Sequence, residues 1–176
     1  MNINDYDNTI DNNMFLSKVD NIFILIYTGV MFDDPNRFEH KVSSDVFNKY
    51  KSIIDDNNSK NVRKMYDEIN VKTSKITNIV KTDEKIIVTV SLIGRYMNYL
   101  VRKDDLKFIS GNNKEREEHS YTLTLEKSLS AKDMKVSMHC PTCGSPANIN
   151  ANGICPYCGS RFNTEDFDYI LTSIEE

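Results

Sequence analysis

Between residues 15 and 30 the apolar positions Leu16, Val19, Phe23, Ile26, Tyr27 and Val30 recur at three- and four-residue spacing, which predicts one long amphipathic helix. Asp33, Asp34 and Pro35 end it, and a short turn or helix runs on through Phe38. A second helix is predicted from a cap at Ser43 or Ser44, with Val46, Phe47, Tyr50, Ile53 and Ile54 on its inner side. After the break at "DDNNSK", a third helix is expected to carry Val62, Met65, Tyr66 and Ile69 inward. Beyond Asn70 the period falls to two. "VKTSKITNIV" reads as a strand, "KTDEK" as a turn, and "IIVTVSLIGRY" as a long strand with Ile86, Val88, Val90 and Leu92 on one face and Thr89, Ser91 and Arg95 on the other. Gly94 inside that strand predicts a bulge or a sharp bend. A further strand after the Gly111-Asn112-Asn113 loop alternates Tyr121, Leu123 and Leu125 with Thr122 and Thr124. Helices followed by antiparallel strands predict an α+β domain, with the helices packed on one face of a bent sheet.

The C-terminal stretch "NTEDFDYILTSIEE" returns to a helical period. Asn163 or Thr164 would cap it, Glu165 and Asp166 would occupy the first turn, and Phe167, Ile170, Leu171 and Ile174 would form one apolar face. That face is expected to dock on the larger domain, since the cysteine-rich segment before it is too small to bury it.

Composition narrows the class without naming a function. The chain has 176 residues, 39% of them apolar and 27% charged, as in a soluble globular protein. A net charge of -4 gives no sign of a general nucleic-acid binder. The opening "MNINDYDNTIDNN" is acidic, the opposite of a signal peptide's basic start, and residues 1–13 are expected to form a disordered tail. The apolar run "NIFILIYTGVMF" falls short of the roughly 17–25 residues that a spanning helix needs, which predicts a buried helix and a soluble, cytoplasmic protein. "SLSAKDMKVSM" is the expected hinge, dividing an α+β domain over residues 14–134 from a C-terminal unit over 135–176.

All four cysteines lie in that second unit, as Cys140-x2-Cys143 and Cys155-x2-Cys158. Each pair can present two thiolates to one ion, and Asn152-Gly153 between them is a hairpin signal that folds one pair back on the other. The spacing predicts a zinc ribbon: one structural zinc in a closed cage of four sulfurs. Disulfides are disfavoured in a reducing compartment. A redox pair would need a single Cys-x-x-Cys beside a βαβ unit. His139 adjoins Cys140 but adds nothing to a complete four-sulfur set.

Taken with "FLSKVDNIF", "ITNIVKTDEKIIVTVSLIGRYMNY" and "SGNNKEREEHSYTLTLEKS", the run "CPTCGSPANINANGICPYCGSRFNTEDFDYIL" resembles bacterial proteins with a Tim44-like domain (translocase of the inner membrane, subunit 44) that end in a zinc ribbon. The resemblance spans roughly residues 14 to 176. It implies a nuclear transport factor 2-like cone, in which helices cross a strongly curved antiparallel sheet and leave a cavity. It also implies tethering, because the mitochondrial relative holds an import chaperone at the translocase and touches anionic lipid.

Three functions follow as alternatives. The first is a non-catalytic adaptor for a protein partner. It could use a basic cluster of Lys60, Arg63 and Lys64 on one face of the third helix, with Lys72 and Lys75 on the next strand. Such a cluster also suits peripheral contact with an anionic membrane. The second is an acid–base enzyme or small-ligand binder in the cone, with Tyr96, Tyr99, His119 and Tyr121 as candidates. His119 itself reads as solvated, beside Glu117 and Glu118. The third is nucleic-acid binding through the ribbon. There Arg161 stands against Glu165, Asp166, Asp168, Glu175 and Glu176, and a zinc tetrathiolate would take the chain to about -6, so it is disfavoured.

Overall fold

Asp11 starts the first helix by accepting the Met14 N–H at 2.8 Å. Helix α1 (Asn12–Met31) then buries Phe15, Val19, Ile22, Phe23, Ile26, Tyr27 and Val30 along one side. The computed structural model describes residues 1–129, 157–159 and 168–176. By length and composition α1 could cross a bilayer, but half of its apolar window is buried inside the fold. Ser43 caps α2 (Ser44–Ser59), as expected, through the Val46 N–H at 3.4 Å. Four strands follow: β1 (Val62–Lys81), β2 (Lys85–Arg102), β3 (Phe108–Ser128) and β4 (Ile170–Glu175). They form one antiparallel sheet in the order β1-β2-β3-β4. The alternation Ile86, Val88, Val90, Leu92 and its register partners Leu125, Leu123 and Tyr121 make the inner face against the helices, all of it buried. The α+β prediction holds in this form.

Four expectations are corrected. The third helix does not exist: residues 62–69 are the first part of β1. Glu68 sits at φ 52° where the register slips between Asp67 and Asn70, so inward residues on either side of this bulge fall at helix-like spacing. The C-terminal helix is instead strand β4, paired Leu123↔Ile174 and Leu125↔Leu171 across a register shift. That shift is why Leu171 and Ile174, three apart, both face inward, and β3 offers them an existing edge. The cap and first turn assigned to residues 163–167 lie outside the described residues. The Gly111-Asn112-Asn113 turn signal falls within β3, where residues 113–116 are extra between the pairs Asn98↔Asn112 and Tyr96↔Glu117. Asn112 Oδ1 accepts the N–H groups of Lys114 and Glu115, so its turn chemistry shapes this bulge and not the hairpin.

The fourth correction concerns residues 1–13. Ile3 and Ile10 are buried, and Asn2 caps a short 3-10 turn over Ile3–Asp5. Asp7 accepts from Lys127 Nζ at 2.8 Å and from the Tyr169 hydroxyl at 3.1 Å, which ties the N-terminus to β3 and to the residue before β4. The sheet therefore draws on both sides of the expected 134/135 division, with the cysteine-rich stretch lying between β3 and β4 in sequence. Gly94 keeps regular pairing with His119, and the irregularity next to it lies opposite, on β1 between Val71 and Thr73. Its role is space: a Cβ there would come within 2.6 Å of the Phe23 ring.

Candidate functional site

The inner face of the sheet is where a cone cavity was expected, and it is filled with tyrosine. β2 and β3 turn Tyr96 and Tyr121 inward, β1 adds Tyr66, α1 adds Tyr27 and α2 adds Tyr50, all 8% exposed or less. Tyr27 sits at the centre, with ring centroids 4.8 Å from Tyr66, 5.4 Å from Tyr96, 6.0 Å from Tyr121 and 6.1 Å from Tyr50. The Tyr96 and Tyr121 hydroxyls hydrogen-bond to each other. Burial raises the pKa of all five phenols, Tyr50 and Tyr121 to about 12 and the others further. Neutral phenols at physiological pH donate hydrogen bonds and do not act as bases.

At the rim of this cluster His119 lies flat on Tyr96, with centroids 4.6 Å apart and planes 3° apart. Its Nδ1 is 2.6 Å from Glu176 Oε1, and its Nε2 is 3.8 Å from Glu117 Oε2. The His119 side chain is thus 19% exposed, more enclosed than the solvated position expected of it. Of the four candidates for acid–base work, Tyr96, His119 and Tyr121 come together. Tyr99 does not: its hydroxyl hydrogen-bonds to Asp67, and that bond to a carboxylate raises its pKa to about 12.

The five cations expected as one patch are dispersed, because the helical face that would have joined them is a strand. Lys60 caps the end of α2 and pairs with Asp56 at 2.7 Å. Arg63 reaches Asp33 at 3.5 Å. Lys64, next in the strand, lies over the Tyr66 ring at 5.9 Å, where burial lowers its pKa. Lys72 bonds Glu118 at 2.8 Å, and Lys75 is exposed further along β1. Of the expected zinc ligands, Cys158 is described and exposed, whereas Cys140, Cys143 and Cys155 lie outside the described residues. Among the described residues no three His, Cys, Asp or Glu side chains form a metal cluster.

One surface feature escaped the sequence reading. The β2–β3 turn closes with the Arg102 N–H donating to Lys107 O at 2.9 Å and the Leu106 N–H donating to Arg102 O at 3.0 Å. Its polar side chains satisfy one another. Arg102 donates twice to Asp105 at 2.8 and 2.7 Å, Asn61 donates to Asp104 at 2.8 Å, and Lys103 reaches Asp33 at 2.7 Å. Three apolar residues project beside the exposed Lys107, whose ammonium lies 3.6 Å from Asp105: Leu106 is 60% exposed, Phe108 50% and Ile109 50%. Leu106 holds φ 57°, a left-handed conformation that costs a leucine roughly 1–2 kcal/mol and glycine almost nothing. The signal was the apolar trio at the end of "KDDLKFI", which fits neither flanking strand's buried face.

A sequence model of the Tim44-like domain matches residues 1–138. Among solved structures, the crystal structure of the intermembrane space region of the chloroplast protein ARC6 is similar in fold, with a TM-score of 0.51 and 7% identity. That likeness covers 94% of this chain and 95% of the other, and shows the shared fold alone. No curated protein matches the chain in sequence.

Proposed function

The chain belongs to the Tim44-like domain family, and from that premise we propose that it is a non-catalytic adaptor recognising a protein partner through the β2–β3 turn. The observation that carries this reading is the leucine at positive φ. An exposed leucine in a strained conformation, on a turn whose Arg102, Lys103 and Asp105 are paired within the fold, is what a contact from outside would stabilise. Leu106, Phe108 and Ile109 offer three exposed apolar side chains within four residues, the kind of anchor that fills a pocket on another protein. The tyrosine cluster supports the same reading, since its five rings are buried against one another and the Tyr96 and Tyr121 hydroxyls pair.

Structural zinc completes the proposal. The donor set fits the metal: four thiolates in two Cys-x2-Cys units, with no place left for water or substrate. Cys140, Cys143, Cys155 and Cys158 would hold one zinc and order the chain between β3 and β4. Reduced thiols of this kind also favour the cytoplasm as the working compartment.

The test uses the intact, zinc-loaded chain as bait beside a variant carrying Leu106→Ser, Phe108→Ser and Ile109→Ser. These side chains are at least half exposed, so the variant should keep the wild-type circular dichroism and melting profile. Partners retained by wild type are expected to bind the variant at least about tenfold more weakly, as for loss of a hot spot. Equal retention by the two proteins would remove the turn from the account, and no specific retention by wild type would remove the adaptor.

A further inference from the structure

Over the rows from Lys85 to Arg95 the charges on the outer face of the sheet are sorted by strand, whereas beyond them Glu68 of β1 pairs with Arg116 of β3 at 3.5 Å. Because Ile86, Val88, Val90 and Leu92 face inward, Lys85, Ile87, Thr89, Ser91, Ile93 and Arg95 of β2 face outward. Register sets Glu118, Thr122, Thr124 and Glu126 of β3 beside them, with Lys75 of β1 and Glu175 of β4 at the flanks. Lys72, at a β1 bulge, joins this face through its bond to Glu118. All these cations are on β1 and β2, and all these acids are on β3 and β4. Ser91, Thr122, Thr89 and Thr124 lie between them, with Ile87 and Ile93.

One row crosses the whole sheet: Lys75↔Ser91↔Thr122↔Glu175. Inner members of the charge set pair within the chain, Lys72 with Glu118 at 2.8 Å, Arg95 with Glu118 at 3.4 Å and Lys85 with Glu126 at 2.8 Å. The two ends of the row do not. Lys75 and Glu175 are exposed, form no ion pair among the described residues, and stand three strand spacings apart, roughly 14 Å, too far to pair with each other.

We propose that a second copy of this chain docks on this face, with Lys75 of each protomer meeting Glu175 of the partner subunit. A two-fold axis parallel to the strands, lying between two facing sheets, sets β1 over the other copy's β4 and β2 over its β3. Cationic strands then face acidic ones across the whole interface, and Ile87, Ile93 and the threonines meet in the middle. A membrane or a polyanion would bring its charge against the acids of β3 and β4, so a face of two halves fits its own copy better. Four strands at ~4.8 Å and about eight residues at ~3.3 Å give a footprint of ~500 Å² per protomer. That is the low end for a specific interface, and it implies a reversible dimer.

Sedimentation velocity of the full zinc-loaded chain across micromolar concentrations tests this. Wild type is expected to dimerise reversibly, less so at high salt. Lys75→Glu alone and Glu175→Lys alone each set like charges opposite one another twice, and each is expected to weaken the dimer at least tenfold. An equal mixture of the two variants is expected to recover it, because in the mixed dimer both pairs are again opposite in charge. Both residues are exposed, and circular dichroism verifies that the variants fold. Wild type that stays monomeric, single variants that dimerise as wild type does, or a mixture no better than its components would overturn the proposal.

Discussion

Replacing Asp7 with alanine is expected to lower the unfolding free energy by about 3–5 kcal/mol, because it leaves the Lys127 ammonium in a largely enclosed site without its counter-charge. Asp7 is 8% exposed and accepts from Lys127 Nζ at 2.8 Å, from the Thr9 hydroxyl at 2.6 Å and from Tyr169 at 3.1 Å. Burial alone would raise its pKa, but the hydrogen bonds from Lys127 and Thr9 outweigh it and hold the carboxyl at about 2, below the ordinary 3.8. A depressed folded-state value adds stability above the unfolded value, and that stability fades as pH falls towards the folded one. The difference between wild type and variant in urea unfolding should therefore be full at neutral pH and narrow between about 4 and about 2. A loss below 1 kcal/mol at neutral pH, or a difference unchanged through that window, would contradict this role for Asp7.

Removing the metal is expected to have the other large effect. Purified protein should carry about one zinc, and serine at any one of Cys140, Cys143, Cys155 or Cys158 should reduce it sharply. In isolated finger peptides structural zinc contributes about 10–16 kcal/mol, so the segment around the cysteines should lose its protection from hydrogen exchange on chelation. β4 should loosen next, since the chain from Leu129 to Asp168 would then be a long unconstrained loop whose closure costs entropy. β1 to β3 and the two helices should stay protected. Elemental analysis without zinc, or a disulfide among the four cysteines, would overturn the metal proposal.

Where one periodicity held without interruption, the chain could be read directly. α1, α2, β2 and the Tyr121-Leu123-Leu125 part of β3 follow from spacing alone, because each buries a single continuous face. The reading failed where spacing was altered by something non-local. The bulge at Glu68 made an edge strand imitate a helix, and β4 is a strand because β3 offers it an edge, which no local propensity records. The N-terminal residues are ordered by Lys127, 120 positions away, so their acidic composition pointed the wrong way. The same limit holds for the candidate site. Tyr96, His119 and Tyr121 could be singled out because they lie on predicted strands, but the filling of the cone depends on Tyr27 and Tyr50 arriving from separate helices.

An alkaline titration of tyrosine absorbance, followed alongside far-ultraviolet circular dichroism, tests the central claim that the cone is a closed core and the protein works from its surface. Tyr27, Tyr50, Tyr66, Tyr96 and Tyr121 should stay protonated well beyond the ordinary midpoint of 10 and ionise only at about 12 or above, or together with unfolding. Ionisation of these five near 10 in a protein that keeps its native circular dichroism would mean that water fills the cone, and would contradict the account.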